Sequence, residues 1–315
     1  MPLAARRALP WLALLPFAAW LAVRGSGWDR GLLVMLVAFT PYVAAAAVLP
    51  VVLAAALRAW WPTAAAVAVA VGLAGLVVPR AVAADPPADG RALRVATANM
   101  WHGRASVADL AALVAARDVD VLALQEFTPD TARRMRDVGL ADRLPHQVSE
   151  AIPGTGGSAV YSRHPLRDTG VRRNAGGFHQ AYGTVLPPGG PPVDVESVHP
   201  LAPSGVGALA AWAADLRAQP PATPEGPLRV LAGDFNATLD HHLLRRLLDS
   251  GYRDAADATG RGLRGTWGPY DGDPIPPVTI DHVLADRRVG VRAYGVQPIA
   301  VGDHRAVWAE LVLPA

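Results

Sequence analysis

The sequence predicts an α/β domain of two packed sheets covered by helices, carried behind an apolar, helical front third. Three observations lead there. The chain has 315 residues, 51% hydrophobic and 18% charged, where an ordinary soluble domain carries about 25% charged residues. The surplus apolar mass sits at the front: between Ala8 and Ala84 the only charged residues are Arg24, Asp29, Arg30, Arg58 and Arg80. From Arg91 onward short apolar strands alternate with polar amphipathic helices, and strands lead in both halves. Such an order packs naturally as sheet on sheet with helices outside. The composition excludes a disordered chain and an ordinary cytosolic globular protein.

The front third contains three uncharged stretches, 8–23, 31–57 and 59–79. A bilayer core of about 30 Å needs roughly 20 apolar residues in a helix, so about three transmembrane helices are expected over residues 1–84. The first stretch is short, holds Pro10 and Pro16, and follows Arg6 and Arg7; alone it would pass for a signal-peptide core. Two further spans argue against simple cleavage. Trp11, Trp20, Trp28, Trp60 and Trp61 lie near the expected ends, where indole rings favour the interface. With Arg6, Arg7 and Arg58 inside, three crossings make a multi-pass protein of the cell membrane whose following domain is extracytoplasmic. Arg24, Arg30 and Arg80 on the opposing side keep that bias small. The stretch AVAADPPADG (81–90) has a linker's composition, which gives a membrane region over 1–84, a linker over 85–92 and a second domain over 93–315.

That domain is not basic. Every one of the 29 basic residues is arginine, and six arginines but only one acid precede residue 85; the remainder holds 23 arginines against 26 acids, a net charge of −3. A nucleic-acid binder usually shows a basic face; here only a local cluster such as Arg133, Arg134 and Arg136 could supply one, and a solvated helix face is its plainer reading. The chain has no cysteine, which excludes a disulfide framework, thiolate zinc sites and a cysteine nucleophile.

Strands are expected over 93–101, 119–127, 157–162, 193–199, 228–235, 280–284, 289–296 and 305–313, by alternation or by short apolar runs between turn signals. Helices are expected over 106–117, with Ser106 as N-cap, over 128–138 and over 205–218. Polar residues interrupt these strands near their ends. Glu126 closes the apolar run LALQ, where a buried carboxylate needs a partner or a metal. Asn99 holds the matching late position of the preceding strand. Asp234 and Asn236 terminate RVLAGDFN, two residues apart and so on one side of extended backbone. Asp281-His282 interrupts TIDHVLA, and Gly302-Asp303-His304 precedes the last strand. Each alone has a bland reading, but apolar residues would serve stability better at all these places.

Taken in order, ATANMW, LALQEF, GSAVYSRHP, ESVHP, GDFNA, TIDHVLA and GDHRAV resemble the endonuclease/exonuclease/phosphatase superfamily over roughly residues 93–313. The resemblance implies a four-layer αββα sandwich and divalent-metal-dependent hydrolysis of a phosphate ester. It implies Glu126 as principal metal ligand, with Asn99 and Asp303 helping to hold the ion or its waters; oxygen ligands suit Mg²⁺, with Mn²⁺ possible. Asp234 would orient or deprotonate the attacking water, and Asn236 would donate to the charge developing on phosphorus. His304 would contact the scissile phosphate, with Asp281 fixing its tautomer, and His199 matches the second histidine of the deoxyribonuclease and sphingomyelinase branches. Two departures stand out: Val198-His199-Pro200 replaces the usual Thr-His-Leu, and His282 follows Asp281 where an aromatic is common, which reads as a structural substitute. His102, His241 and His242 read as solvated. Thr266, Trp267 and the proline-rich loop 273–277 line the cleft or simply pack, and Arg163 supports the site or a phosphate.

Expected partners are a phosphate-ester substrate (lipid headgroup, small phosphodiester or nucleic acid) and the lipid bilayer. Tethering raises the local concentration of a lipid substrate, which favours a membrane-tethered phosphodiesterase. The alternatives are a DNA or RNA endonuclease and, further off, a non-catalytic membrane scaffold.

Overall fold

A computed structural model describes residues 3–84, 89–269 and 274–314, with side chains from Arg7 onward. The front third is helical. Helix α1 (Leu3–Ser26) takes both internal prolines in its stride, and α5 (Trp60–Val77) is continuous. The apolar stretch between them does not form the single expected helix. It breaks into α2 (Leu32–Val37), α3 (Thr40–Ala46) and α4 (Val48–Ala56). Pro41 has no N–H to offer Val37 O, and Thr40 Oγ1 donates to that carbonyl instead at 2.7 Å. Two helical segments are therefore long and apolar enough to cross a membrane, Arg7–Ser26 and Trp60–Ala81, with Thr40–Ala56 shorter. Both leave apolar faces uncovered by protein, and Trp60 and Trp61 are fully out.

The second region holds β1 (Arg91–Asn99), α6 (Val107–Ala116), β2 (Val121–Gln125), α7 (Pro129–Asp137), α8 (Leu140–Arg143), β3 (His146–Glu150), β4 (Ser158–Ser162), β5 (Leu166–Arg173), β6 (His179–Val185), β7 (Val193–Val198), α9 (Leu209–Arg217), β8 (Leu228–Asp234), α10 (His242–Asp249), β9 (Tyr252–Asp254), α11 (Ala255–Ala258), β10 (Asp281–Asp286), β11 (Gly290–Pro298) and β12 (Arg305–Leu313). Ser106 caps α6 as expected, its hydroxyl accepting from Asp109 N at 3.2 Å. One sheet has the order β11-β12-β1-β2-β4-β3 and the other β5-β6-β7-β8-β10-β9. Only β1–β2 and β7–β8 are parallel.

Alternation along the strands explains both the layers and the site. Leu93 and Val95 of β1, Val121 and Ala123 of β2, Val193 and Val195 of β7, Leu228, Val230 and Ala232 of β8, and Val283 and Ala285 of β10 meet in one core between the sheets. Ala96 and Ala98 of β1 and Leu122 and Leu124 of β2 face the other way, onto Leu110 and Leu113 of α6 and Met135 of α7. Leu231, Leu284, Trp212 of α9 and Leu244 of α10 close the opposite outer layer. Each such leucine or valine contributes about 1.5–3 kcal/mol on full burial. The result is the four-layer sandwich. Asn99, Asp234, Asp281 and His199 continue the inward-facing phase of their strands, so all four emerge between the sheets at one end.

The helical region is fastened to that same end. Val34 of α2 joins the core formed by Trp212, Phe235 and Leu244. His241 is buried and donates through Nε2 to Val34 O at 2.8 Å, while His242 pairs with Asp29 at 2.9 Å. The solvated reading of these two histidines is thus corrected: helices distant in sequence cover the start of α10. The expected linker also begins later than its composition suggests. Arg80 is buried on Asp240, and Ala84 N donates to Ala258 O at 2.9 Å. Residues 85–88 lie outside the described residues, and β1 begins at Arg91.

Candidate active site

The site is built where β1, β2, β8, β10 and β12 end or begin. Asp281 of β10 lies directly across from Asp234 of β8 in the antiparallel register. A β-carbon at Gly233 would sit 2.0 Å from Val198 O, so only glycine lets β8 lie this close to β7 just before the catalytic end. Asp281 is buried and its carboxylate accepts from His304 Nδ1 at 2.9 and 3.1 Å. That bond turns His304 Nε2 toward Asp234 Oδ2, at 3.6 Å. His199 Nε2 approaches the same oxygen from β7, at 3.7 Å. Both distances exceed a hydrogen bond, and they leave one carboxylate and two imidazoles around a common gap.

Asp234 is positioned by its neighbours. Its Oδ1 accepts from Asn236 N at 2.8 Å and its Oδ2 from Asn99 Nδ2 at 3.1 Å. Asn236 sits in left-handed backbone, φ 48°, which asparagine tolerates well. Its side-chain amide donates to Pro200 O at 3.0 Å and only weakly to Asp234 Oδ2 at 3.4 Å. Burial raises Asp234 to about 7, against the opposing charge of His304. Burial alone would depress His304, but the carboxylates of Asp281 and Asp234 hold it up at about 10. For His199, burial and the His304 charge outweigh the opposing charge of Asp281 and push it down to about 3. One imidazole is thus cationic at neutral pH and the other neutral.

Glu126 breaks the strand alternation. It adopts φ 54°, a left-handed turn that brings its carboxylate back to Asn99 Nδ2 at 3.3 Å and to His102 N at 2.5 Å. Burial raises its pKa despite both donors and the His102 imidazole, whose Nε2 lies 3.8 Å from Oε2. Asn99 Oδ1 accepts from Trp101 N at 3.0 Å, and its amide therefore bridges Glu126 and Asp234. Asp303 supplies a fourth acid, and its buried Oδ1 has no hydrogen-bond partner. Trp101, His102, Glu126, Asn236 and Val301 all have positive φ, and such strained backbone concentrates at functional sites. A cleft of about 620 Å³ opens beside Asp303 and His304, walled by Trp101, Pro269 and Val301.

The sequence matches the Endonuclease/Exonuclease/phosphatase family over residues 96–304. The chain belongs to this family. Its members are metal-dependent phosphoester hydrolases. No curated protein is similar enough in sequence to count as a match. Among solved structures, an endonuclease/exonuclease/phosphatase from Beutenbergia cavernae is similar, with 22% identity, a TM-score of 0.57, and 71% of this chain covering 72% of that one. TDP2 from D. rerio, solved with a single-strand DNA product, shares 14% identity at TM-score 0.52, over 70% of this chain and 98% of that one. The 3′-5′ exonuclease NExo from Neisseria meningitidis shares 20% at TM-score 0.50, over 70% and 100%. These likenesses are likenesses of fold.

All eight residues singled out in the sequence, Asn99, Glu126, His199, Asp234, Asn236, Asp281, Asp303 and His304, lie at this end of the sandwich. His282 points outward instead, bonding Asp254 at 2.7 Å and Ala237 O at 2.9 Å, as its structural reading required. Arg163 is placed away from the site: it follows β4, whose end pairs with the start of β2, and it bonds Asp118 at 2.6 Å. Thr266 is buried and its hydroxyl accepts from Asp281 N at 3.0 Å, so it holds the start of β10; of the loop that follows, residue 273 lies outside the described residues. His102 is exposed, yet its backbone N–H holds Glu126. Sequence reading missed the supports of His199. Phe178 packs against its ring at 4.6 Å, and Asn174 Nδ2 donates to its carbonyl at 2.8 Å. They support its ring and its backbone, and the signal for them in the sequence was NAGGF at a turn.

The His282–Asp254 pair carries a testable pH dependence. Burial would lower His282, but Asp254 raises it above its ordinary 6.5. A raised imidazole stabilises fully below its unfolded pKa of about 6.5, and that contribution fades as pH rises through the folded value. Asp254→Asn strips a buried cation of its partner, which costs about 3 kcal/mol. Melting of the full chain in detergent at pH 6 and pH 9 checks both effects: the variant melts lower at pH 6, and the gap narrows at pH 9.

Proposed function

We propose that this chain is a membrane-tethered phosphodiesterase in which Asp234 activates water and the His304–Asp281 pair stabilises the phosphoryl group. The observation that carries the reading is the convergence of His304 and His199 on Asp234 Oδ2, at 3.6 and 3.7 Å, beside the carboxylates of Glu126 and Asp303. Asp234, raised to about 7 by burial, takes a proton from water as its oxygen attacks phosphorus. His304, cationic because Asp281 and Asp234 hold its proton, offers Nε2–H to the phosphoryl oxygens as the bond to the leaving oxygen breaks. Asn236 turns its weakly used amide hydrogen toward the same charge. His199, neutral, faces Asp234 from the opposite side at 3.7 Å.

Glu126 and Asp303, with Asn99 steadying Glu126, fit a hard divalent cation such as Mg²⁺ or Mn²⁺: they are oxygen donors, one raised by burial and one with an unpartnered buried oxygen. When bound, such an ion supplies positive charge to the phosphoryl and leaving oxygens. Asp234, Asp281 and His304 also present atoms within 4.8 Å of one another, but His304 already donates to Asp281 and stays protonated, so that cluster is better matched to an ion pair than to a metal.

The uncovered apolar faces of α1 and α5 support membrane insertion. Arg24 and Arg80, at the ends of the first and last helices, both reach the catalytic domain, while Arg58 lies at the turn between α4 and α5. This arrangement supports three crossings, the middle one over Thr40–Ala56, with Arg7 and Arg58 on the cytoplasmic side and the catalytic domain outside. Salt dependence separates the two substrate readings. A polynucleotide substrate loses on the order of 10³-fold or more in affinity between 50 and 200 mM salt. A phospholipid phosphodiester in neutral vesicles is expected to be hydrolysed with far less salt sensitivity. Efficient, salt-steep plasmid nicking with intact vesicles would move the assignment to a nuclease.

A further inference from the structure

The catalytic loop 235–241 runs from β8 to α10, and its fastenings form two sets. The catalytic domain supplies one: Trp212 Nε1 donates to Asn236 O at 3.0 Å, and His282 Nε2 donates to Ala237 O at 2.9 Å. The helical region supplies the other. The buried carboxylate of Asp240 accepts Arg24 Nε at 2.6 Å and both terminal nitrogens of Arg80 at 2.6 and 2.7 Å. Arg24 also donates to Leu239 O at 3.2 Å. His241 is clamped between Val34 O, on α2, and Thr238 N, each at 2.8 Å.

A passive tether needs one flexible link. Here the two ends of the helical region, Arg24 closing α1 and Arg80 following α5, converge on a single aspartate six positions beyond Asp234. Bidentate, charge-assisted bonds fix direction as well as distance, and guanidinium groups this buried leave the carboxylate little alternative partner. The loop leads straight to the reaction: Asn236 N, at its start, holds Asp234 Oδ1. We propose that Arg24 and Arg80, acting through Asp240, are positioning residues that hold this loop, and with it Asn236 and Asp234, so that the helical region completes the active site as well as tethering it. The proposal rests on Asp234 being the catalytic base.

Arg24→Met and Arg80→Met, with Arg80→Lys as the conservative partner, test it in the full chain in detergent micelles. Hydrogen exchange at the Asn236 and Thr238 amides reads loop order without activity, and the Val95 amide in β1 reads the fold. Hydrolysis of bis-p-nitrophenyl phosphate with Mg²⁺ gives kcat and KM. The methionine variants are expected to exchange at Asn236 and Thr238 at least about 10-fold faster with Val95 unchanged, and to lose about 10²-fold in kcat at near-constant KM, the scale of an ångström-sized misplacement. Arg80→Lys recovers part of both. Wild-type exchange and kcat in both variants would overturn the proposal. So would an equal rise at Val95, since the arginines would then serve global stability alone. If the wild type leaves the probe intact, the phosphodiesterase reading fails, and the exchange measurement still decides whether the clamp orders the loop.

Discussion

Asp234→Asn lowers kcat/KM for phosphodiester hydrolysis by on the order of 10³-fold while leaving the fold intact. The substitution keeps the size and, through its one remaining oxygen, the hydrogen bond from Asn236 N, but gives up the bond from Asn99 Nδ2 and the carboxylate that faces both His304 Nε2 and His199 Nε2. General-base catalysis is worth roughly 10²–10⁴-fold. The loss of charge also relaxes His304, which Asp234 and Asp281 together hold at about 10. The wild-type rate is expected to climb as pH rises through about 7, where Asp234 loses its proton, and to decline near 10, where His304 does. Asp281→Asn moves the alkaline limb to lower pH, because it removes the closer of the two carboxylates.

Glu126→Gln carries the second large effect, on metal affinity. The amide keeps the shape of the side chain but cannot offer a cation the carboxylate's negative charge. Removing an outer partner of a metal ligand commonly costs 10- to 100-fold in affinity, so loss of the ligand charge itself is expected to cost at least about 100-fold. Calorimetric titration of the full chain with Mn²⁺ measures it. Unchanged affinity in Glu126→Gln, with weakened affinity in Asp281→Asn, would relocate the ion to the Asp234–Asp281–His304 cluster.

Much of this arrangement was legible because strand alternation is local. Asn99, His199, Asp234 and Asp281 follow the phase of Val95, Val195, Ala232 and Val283, so a run of apolar residues announces where the polar one will point. Glu126 and Asn236 were found by type, but their left-handed backbone, which aims them, has no periodic signature. Strands β3, β5 and β9 escaped because edge position or brevity removes the pattern: β5 reads LRDTGVRR and is largely exposed, and β9 spans three residues; β6 lies inside its sheet, but Gln180, Gly183 and Thr184 break its apolar run. The supports were illegible for a different reason. Asn174 and Phe178 reach His199 from a turn, and Arg24 and Arg80 reach Asp240 from helices far away in sequence. Their role exists only after the layers have assembled, which is also why His241 read as a solvated histidine.

The most direct test is hydrolysis of bis-p-nitrophenyl phosphate by the full chain in detergent with Mg²⁺, wild type beside Asp234→Asn. The account predicts turnover by the wild type, abolished by a chelator, and a loss on the order of 10³-fold in a variant that melts like the wild type. Equal rates in the two proteins, or no turnover from a folded wild type that binds Mn²⁺, would contradict it.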